Sequence, residues 1–219
     1  MIRGSSLWIM QPGWVGRLYG LEDTPRLFAD AEISERADGS VRILLRHRMA
    51  EGPDAAFDGT QTITLHPDNR IEFALDFRLT RDVPAIIEWG VGQLNAVPLM
   101  GSPYTGVIFA DAQSAALPRA LAGVLPVEAV HPGVEESTVA LGLEKVTIHS
   151  RLGPIALHGN EEAHLRLFDY RRNRYARASR PIFWFGRMET PLEFGREYHF
   201  YARLDFPGEI EPAAQTVEP

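Results

Sequence analysis

The sequence predicts an all-β protein, an antiparallel sandwich of two large sheets with at most one short helix. Three observations carry this. Short runs alternate apolar and polar residues with period two. Turn dipeptides separate those runs at hairpin spacing. Only one segment, DAQSAALPRALAG (111–123), has room for a helix, and Pro118 interrupts it.

Along the chain, residues 1–26 read as an irregular lead holding a strand or two. AEISERA and VRILLRHR (41–48) flank Asp38-Gly39, a strong hairpin signal. Asp58-Gly59 marks a break before TQTITLH (60–66). His66-Pro67-Asp68-Asn69 then turns into RIEFALDFRL, with proline suited to the second turn position. There Ile71, Phe73, Leu75, Phe77 and Leu79 fall on one face, while Glu72, Ala74, Asp76 and Arg78 fall on the other. REYHFYARLDF repeats the pattern, with Tyr198, Phe200, Ala202, Leu204 and Phe206 inward. Gly159-Asn160 and Pro207-Gly208 are further breaks. About a dozen strands are expected, forming one domain over 27–207 followed by a loose polar tail over 208–219.

The bulk chemistry excludes several classes. A chain of 219 residues, 45% hydrophobic and 23% charged, buries a substantial core. The net charge of −7 argues against nucleic acid as a partner, which needs a basic surface. No cysteine is present, so disulfides and thiolate chemistry are ruled out; this fits the cytoplasm without excluding export. The apolar run in MIRGSSLWIMQPGW is too short for a signal peptide core or a membrane span. Lys145 is the only lysine, and every other basic side chain is arginine.

The order of features resembles a known family. A hairpin-rich opening precedes RIEFALDFRLTRDVPAIIEWGVGQLN and PLMGSPYTG, and IFWFG and PLEFGREYHFYARLDF close the chain. This arrangement is similar to the galactose mutarotase-like β-supersandwich of mutarotases and of accessory domains in glycoside hydrolases and polysaccharide lyases. The resemblance spans roughly residues 27–206 and rests on pattern. It implies a carbohydrate-associated sandwich without a cofactor. The histidine that mutarotases carry in an Asn-His-x-Tyr/Phe context has no counterpart here, so the fold carries over and the catalytic machinery does not.

IIEWGVGQLN (86–95) concentrates a carboxylate, a tryptophan, glycines and amides in one extended stretch. Trp89 beside Gln93 and Asn95 offers a flat apolar surface next to amide donors and acceptors, which suits a sugar ring and its hydroxyls. In an unbroken strand these three share a face with Ile87 and Val91, and Gly90 and Gly92 keep the backbone low beside them. Trp89 is therefore expected to line an accessible groove; its alternative is a core strand anchored by the indole. Tyr104 and Trp184 complete the expected ligand face, with Asp169 and Arg171 anchoring hydroxyls.

For acid–base chemistry the candidates are Glu88, His158 and Glu161, the latter two flanking Gly159-Asn160 beside Glu162 and His164. This spacing matches no specific metal motif, and no metal is expected. Six arginines between Arg166 and Arg180 interleave with Tyr170 and Tyr175; in so acidic a chain they pair with nearby carboxylates. No nucleophile elbow, P-loop or dinucleotide fingerprint appears. The sequence thus leads to a sugar-binding sandwich. An epimerase or mutarotase-like enzyme is the alternative, and a docking domain that dimerises through exposed aromatic strands is the third reading.

Overall fold

The computed structural model describes residues 6–14, 17–20, 31–48, 57–109, 118–129, 138–171 and 182–208. Among the described residues, fifteen strands, numbered in chain order, form two sheets, and every paired strand is antiparallel to its neighbour. The nine-stranded sheet begins β3 (Ala31–Glu35), β4 (Val41–Arg48), β5 (Phe57–Leu65), β6 (Arg70–Leu79) and β15 (Glu197–Asp205). It continues through β12 (Gly153–Gly159), β11 (Leu143–Ser150), β8 (Pro103–Ile108) and β9 (Arg119–Val124). The six-stranded sheet runs β10 (Thr138–Leu141), β13 (Arg166–Asp169), β14 (Ile182–Leu192), β7 (Ala85–Asn95), β1 (Ser6–Met10) and β2 (Arg17–Gly20). Among the described residues there is no α-helix, and none is long and apolar enough to cross a membrane.

Alternation builds the core. Phe73, Leu75, Phe77 and Leu79 of β6 are buried, as are Tyr198, Phe200, Ala202 and Leu204 of β15. From the other sheet come Leu7, Ile9, Ile87, Trp89, Phe183 and Phe185. Side chains from the two inner faces form one continuous core cluster. Phe77 stacks on Tyr198 at 4.8 Å and meets Phe200 edge-on at 5.1 Å, the arrangements aromatic quadrupoles favour.

Turn chemistry places the hairpins. Gly39 (φ +78) occupies the left-handed position between β3 and β4, where the Asp38 carboxylate accepts from Ser40 N at 2.9 Å. Asn69 (φ 63) does the same between β5 and β6. Asp58-Gly59, expected to break the chain, lies inside β5 instead. A Cβ at Gly59 would come within 2.7 Å of Phe77 Cβ and 2.9 Å of Asp76 O, so this glycine permits close approach of a neighbouring strand. The short helix expected over 111–123 is not formed where it is described: Arg119–Val124 is strand β9, and 111–117 lie outside the described residues.

Candidate functional site

The stretch 86–95 forms β7, central in the six-stranded sheet, but its side chains do not follow one alternation. Phe185 stands opposite Gly92 and Gly186 opposite Gly90, leaving Val91 as an extra residue, a β-bulge. The bulge reverses parity. Before it, Ile87 and Trp89 point into the core; after it, Gly92 and Leu94 do, and Gln93 turns outward beside Trp184. Trp89 is wholly buried, its ring 5.6 Å from Phe200, and the groove expected at this position does not exist.

The other expected ligand residues are mostly buried too. Trp184 lies on the outer face of the six-stranded sheet, yet it is only 2% exposed and clusters with Phe168 and Tyr170. Its ring also fills the space that a side chain at Gly186 would need. Tyr104 belongs to the nine-stranded sheet, where its ring covers Gly123. The Asp169 and Arg171 side chains, 1% and 6% exposed, are locked together. Gln93 is half-buried, while Asn95 is exposed and accepts from Val97 N at 3.1 Å. Five of the seven therefore have almost no surface with which to meet a sugar.

Glu88 is half-buried on that same outer face, close to Tyr170. Burial, and then the Glu88 carboxylate, push the Tyr170 hydroxyl up to about 12. His158 is on the outer face of the other sheet, because Ile155 and Leu157 of β12 point inward. The core separates Glu88 from His158, so they cannot flank one ligand. Glu161 is exposed in the turn after β12 and makes no side-chain pairing with His158.

His158 has a different partner. Its Nε2 lies 2.9 Å from Asp205 Oδ2 and 3.0 Å from Arg203 Nη2. Strand register explains the meeting: His158 stands opposite Arg203, which stands opposite Glu72, while Asp205 stands opposite Arg70. A carboxylate only accepts and a guanidinium only donates, so Nε2 has a partner whether or not it carries the proton. Burial foremost, then Arg203, hold the imidazole below its ordinary value of 6.5, with Asp205 opposing them.

Beside this trio, the Tyr201 hydroxyl shares a hydrogen bond with Glu72, and burial foremost pushes that hydroxyl up. Arg70 Nη2 lies 3.1 Å from His66 Nδ1. His66 Nε2 sits 3.2 Å from Glu72 Oε2, but off the line of a hydrogen bond. The side chains of His66, His158, Glu72, Arg70, Arg203 and Asp205 are 12–34% exposed, whereas the His199–Asp76 pair farther along the sheet is 65% and 59% exposed. The half-buried row is thus a concentrated polar surface, distinct from the solvated pairs around it. Arg70 leads from it into an open depression of about 510 Å³, with Leu65, Phe206 and Pro207 as apolar lining and His66 and Asn69 as polar lining. That size and mixture suit a small ligand.

The fold and this surface define a two-sheet antiparallel β-sandwich with a half-buried imidazole–carboxylate–guanidinium row on one outer face. No family model matches the chain, and no curated protein matches it. Among solved structures it is similar to a GalM/aldose epimerase homologue from C. elegans, with 13% identity and a TM-score of 0.43, over 81% of this chain and 68% of that one.

Proposed function

We propose that this chain is a carbohydrate-associated sandwich that binds a sugar on the outer face of the nine-stranded sheet, over His158, Asp205, Arg203 and Glu72. The observation that carries this reading is the half-buried row itself, in which an imidazole, carboxylates and guanidinium groups adjoin on one face. A pyranose presents alternating hydroxyls around an apolar ring face. Groups that accept and groups that donate, set side by side on one face, match those hydroxyls.

Calorimetric titration against simple hexoses and oligosaccharides tests the reading. Binding is expected in the wild type, with His158→Ala and Asp205→Asn each losing about 1–3 kcal/mol of affinity. A flat response across neutral and acidic glycans overturns it. The pH dependence has a definite sign. The folded imidazole takes its proton only below 6.5, so affinity that needs neutral His158 holds down to that value and weakens beneath it. Stability follows the same direction: below 6.5 the unfolded chain binds the proton first, and His158 then favours unfolding.

A second reading is an epimerase or mutarotase-like activity, favoured by one specific feature. Neutral His158, with Nε2 between a carboxylate and a guanidinium, can take a proton and return it as the imidazolium. Polarimetry on aldoses decides this: acceleration of anomerisation that His158→Gln abolishes supports it, and a rate equal to buffer for every aldose counts against it.

A further inference from the structure

A second cluster, remote from the His158 row, has no role in the reading above. Arg187 of β14 stands opposite Trp89, on the inward side of the six-stranded sheet. Its guanidinium lies 5.0 Å over the Phe200 ring, and its Nη1 donates to the backbone carbonyl of Glu162. Its Nε is buried without an acceptor. Among the described residues no carboxylate reaches Arg187 within ion-pair distance. Glu162, the nearest candidate, is already engaged: Arg196 Nη2 donates to one oxygen at 3.2 Å and His199 N to the other at 2.9 Å. Arg196 itself lies 4.8 Å over Tyr198, with its side chain 49% exposed.

We propose that Arg187, with Arg196 beside it, forms an oxyanion-binding site at the β14–β15 end of the sandwich, taking a carboxylate, sulfate or phosphate group. A cation taken out of water without a counter-charge is costly unless something compensates it. Arg187 as a residue is half-buried, not sealed from solvent. The planar fork of arginine suits two oxygens of one anion, and two arginines approach the same place. Burial foremost drives the Arg187 guanidinium down to about 10; Tyr198 and Glu162 oppose that shift, and Arg196 and Arg166 add to it. That is the environment in which an added anion gains most. The anion is either a substituent on a sugar, as in a uronate, or a free inorganic oxyanion; the shared chemistry is the trigonal or tetrahedral oxyanion.

Thermal melts and calorimetry of the whole chain with sodium sulfate, inorganic phosphate and glucuronate test the site, with glucose and with chloride at matched ionic strength as controls. An oxyanion is expected to raise the melting temperature beyond chloride, and Arg187→Met to weaken its binding about tenfold or more. Without anion, Arg187→Met is expected to melt at or above the wild-type temperature, because a half-buried charge held by no contact ion pair has gone. The exposed Arg196→Gln provides a second test that does not disturb the core, and a several-fold loss of anion affinity is expected. Glucuronate binding more tightly than sulfate and phosphate places the anion on a sugar; equal or weaker binding identifies a free oxyanion, and both results support the site. Shifts no larger than those of chloride overturn it, as does anion binding unchanged in both variants. His158→Ala is expected to leave the oxyanion effect intact, so this site and the sugar-binding face fail or stand separately.

Discussion

Replacing Trp89 with alanine is expected to lower the stability of the fold by about 3–5 kcal/mol, the range for emptying a large buried aromatic site. The indole is fully buried at the centre of the six-stranded sheet and packs against Phe200, which in turn touches Phe77 and Tyr198. Neighbours in the opposing sheet are held by their own strand pairing, so the cavity left behind would not collapse. Trp89→Phe offers a contrast. It keeps most of the volume and removes an indole N–H that finds no acceptor among the described residues. An unsatisfied buried donor costs about 1–3 kcal/mol, which offsets part of the lost packing. The phenylalanine variant is therefore expected to lose less than half as much as the alanine variant. Chemical denaturation of the three proteins measures both numbers. An alanine variant within about 1 kcal/mol of the wild type would mean the indole is not a core anchor.

The strands of this sandwich were legible wherever one face is wet and the other dry. RIEFALDFRL and REYHFYARLDF each alternate without interruption, and the residues read as inward are buried except Ile71 and Phe206, which are partly buried against the core. Asp38-Gly39 was legible because its backbone needs positive φ, which few residue types accept, and the turn ending at Asn69 because Pro67 suits the second turn position. Asp58-Gly59 misled because a glycine in a strand and a glycine in a turn look alike in sequence. What distinguishes them is Phe77 on the neighbouring strand, and that is known only from the pairing.

The site was harder to read, for two physical reasons. A bulge at Val91 shifts period two by one residue, so Trp89 and Gln93, read as one face, lie on opposite faces. The glycines that looked like a ligand platform, Gly90 and Gly92, flank that irregularity: a side chain at Gly92 would meet Leu204, and at Gly186, opposite Gly90, one would meet the Trp89 carbonyl and the Trp184 ring. The second reason is distance along the chain. His158 was singled out from its surroundings, but Glu161 was the nearest carboxylate only in sequence. Asp205 reaches the imidazole because β12 pairs with β15, bringing together residues 47 positions apart. Polar alternation in β6 and β15 was visible as a wet face; that Glu72 and Arg203 would adjoin His158 on it depends on strand order, which period two does not encode.

The other large effect is expected at the buried pair. Arg171 Nε and Nη2 each donate at 2.8 Å to a different oxygen of Asp169, a two-point clamp. The same guanidinium also donates to the carbonyls of Pro126, Val127 and Glu128 at 2.7, 2.8 and 3.1 Å and lies 5.1 Å over the Phe183 ring. It thereby fastens the segment after β9 to the end of β13. Asp169→Asn is expected to cost about 3–5 kcal/mol, because it leaves a buried guanidinium without its counter-charge. Arg171→Met is expected to cost a similar amount, because the carboxylate loses its two-point ionic clamp. Lysine should not rescue it, since one ammonium cannot span both carboxylate oxygens and three carbonyls. The double variant separates pair energy from anchoring. With both charges gone, no uncompensated ion remains, and the carbonyls of Val127 and Glu128, on exposed residues, can turn to water. The combined loss is then expected to be no larger than that of either single variant, a strongly non-additive cycle. Denaturant midpoints of the four proteins supply the cycle; losses that simply add would mean that Asp169 and Arg171 stabilise the fold independently of each other.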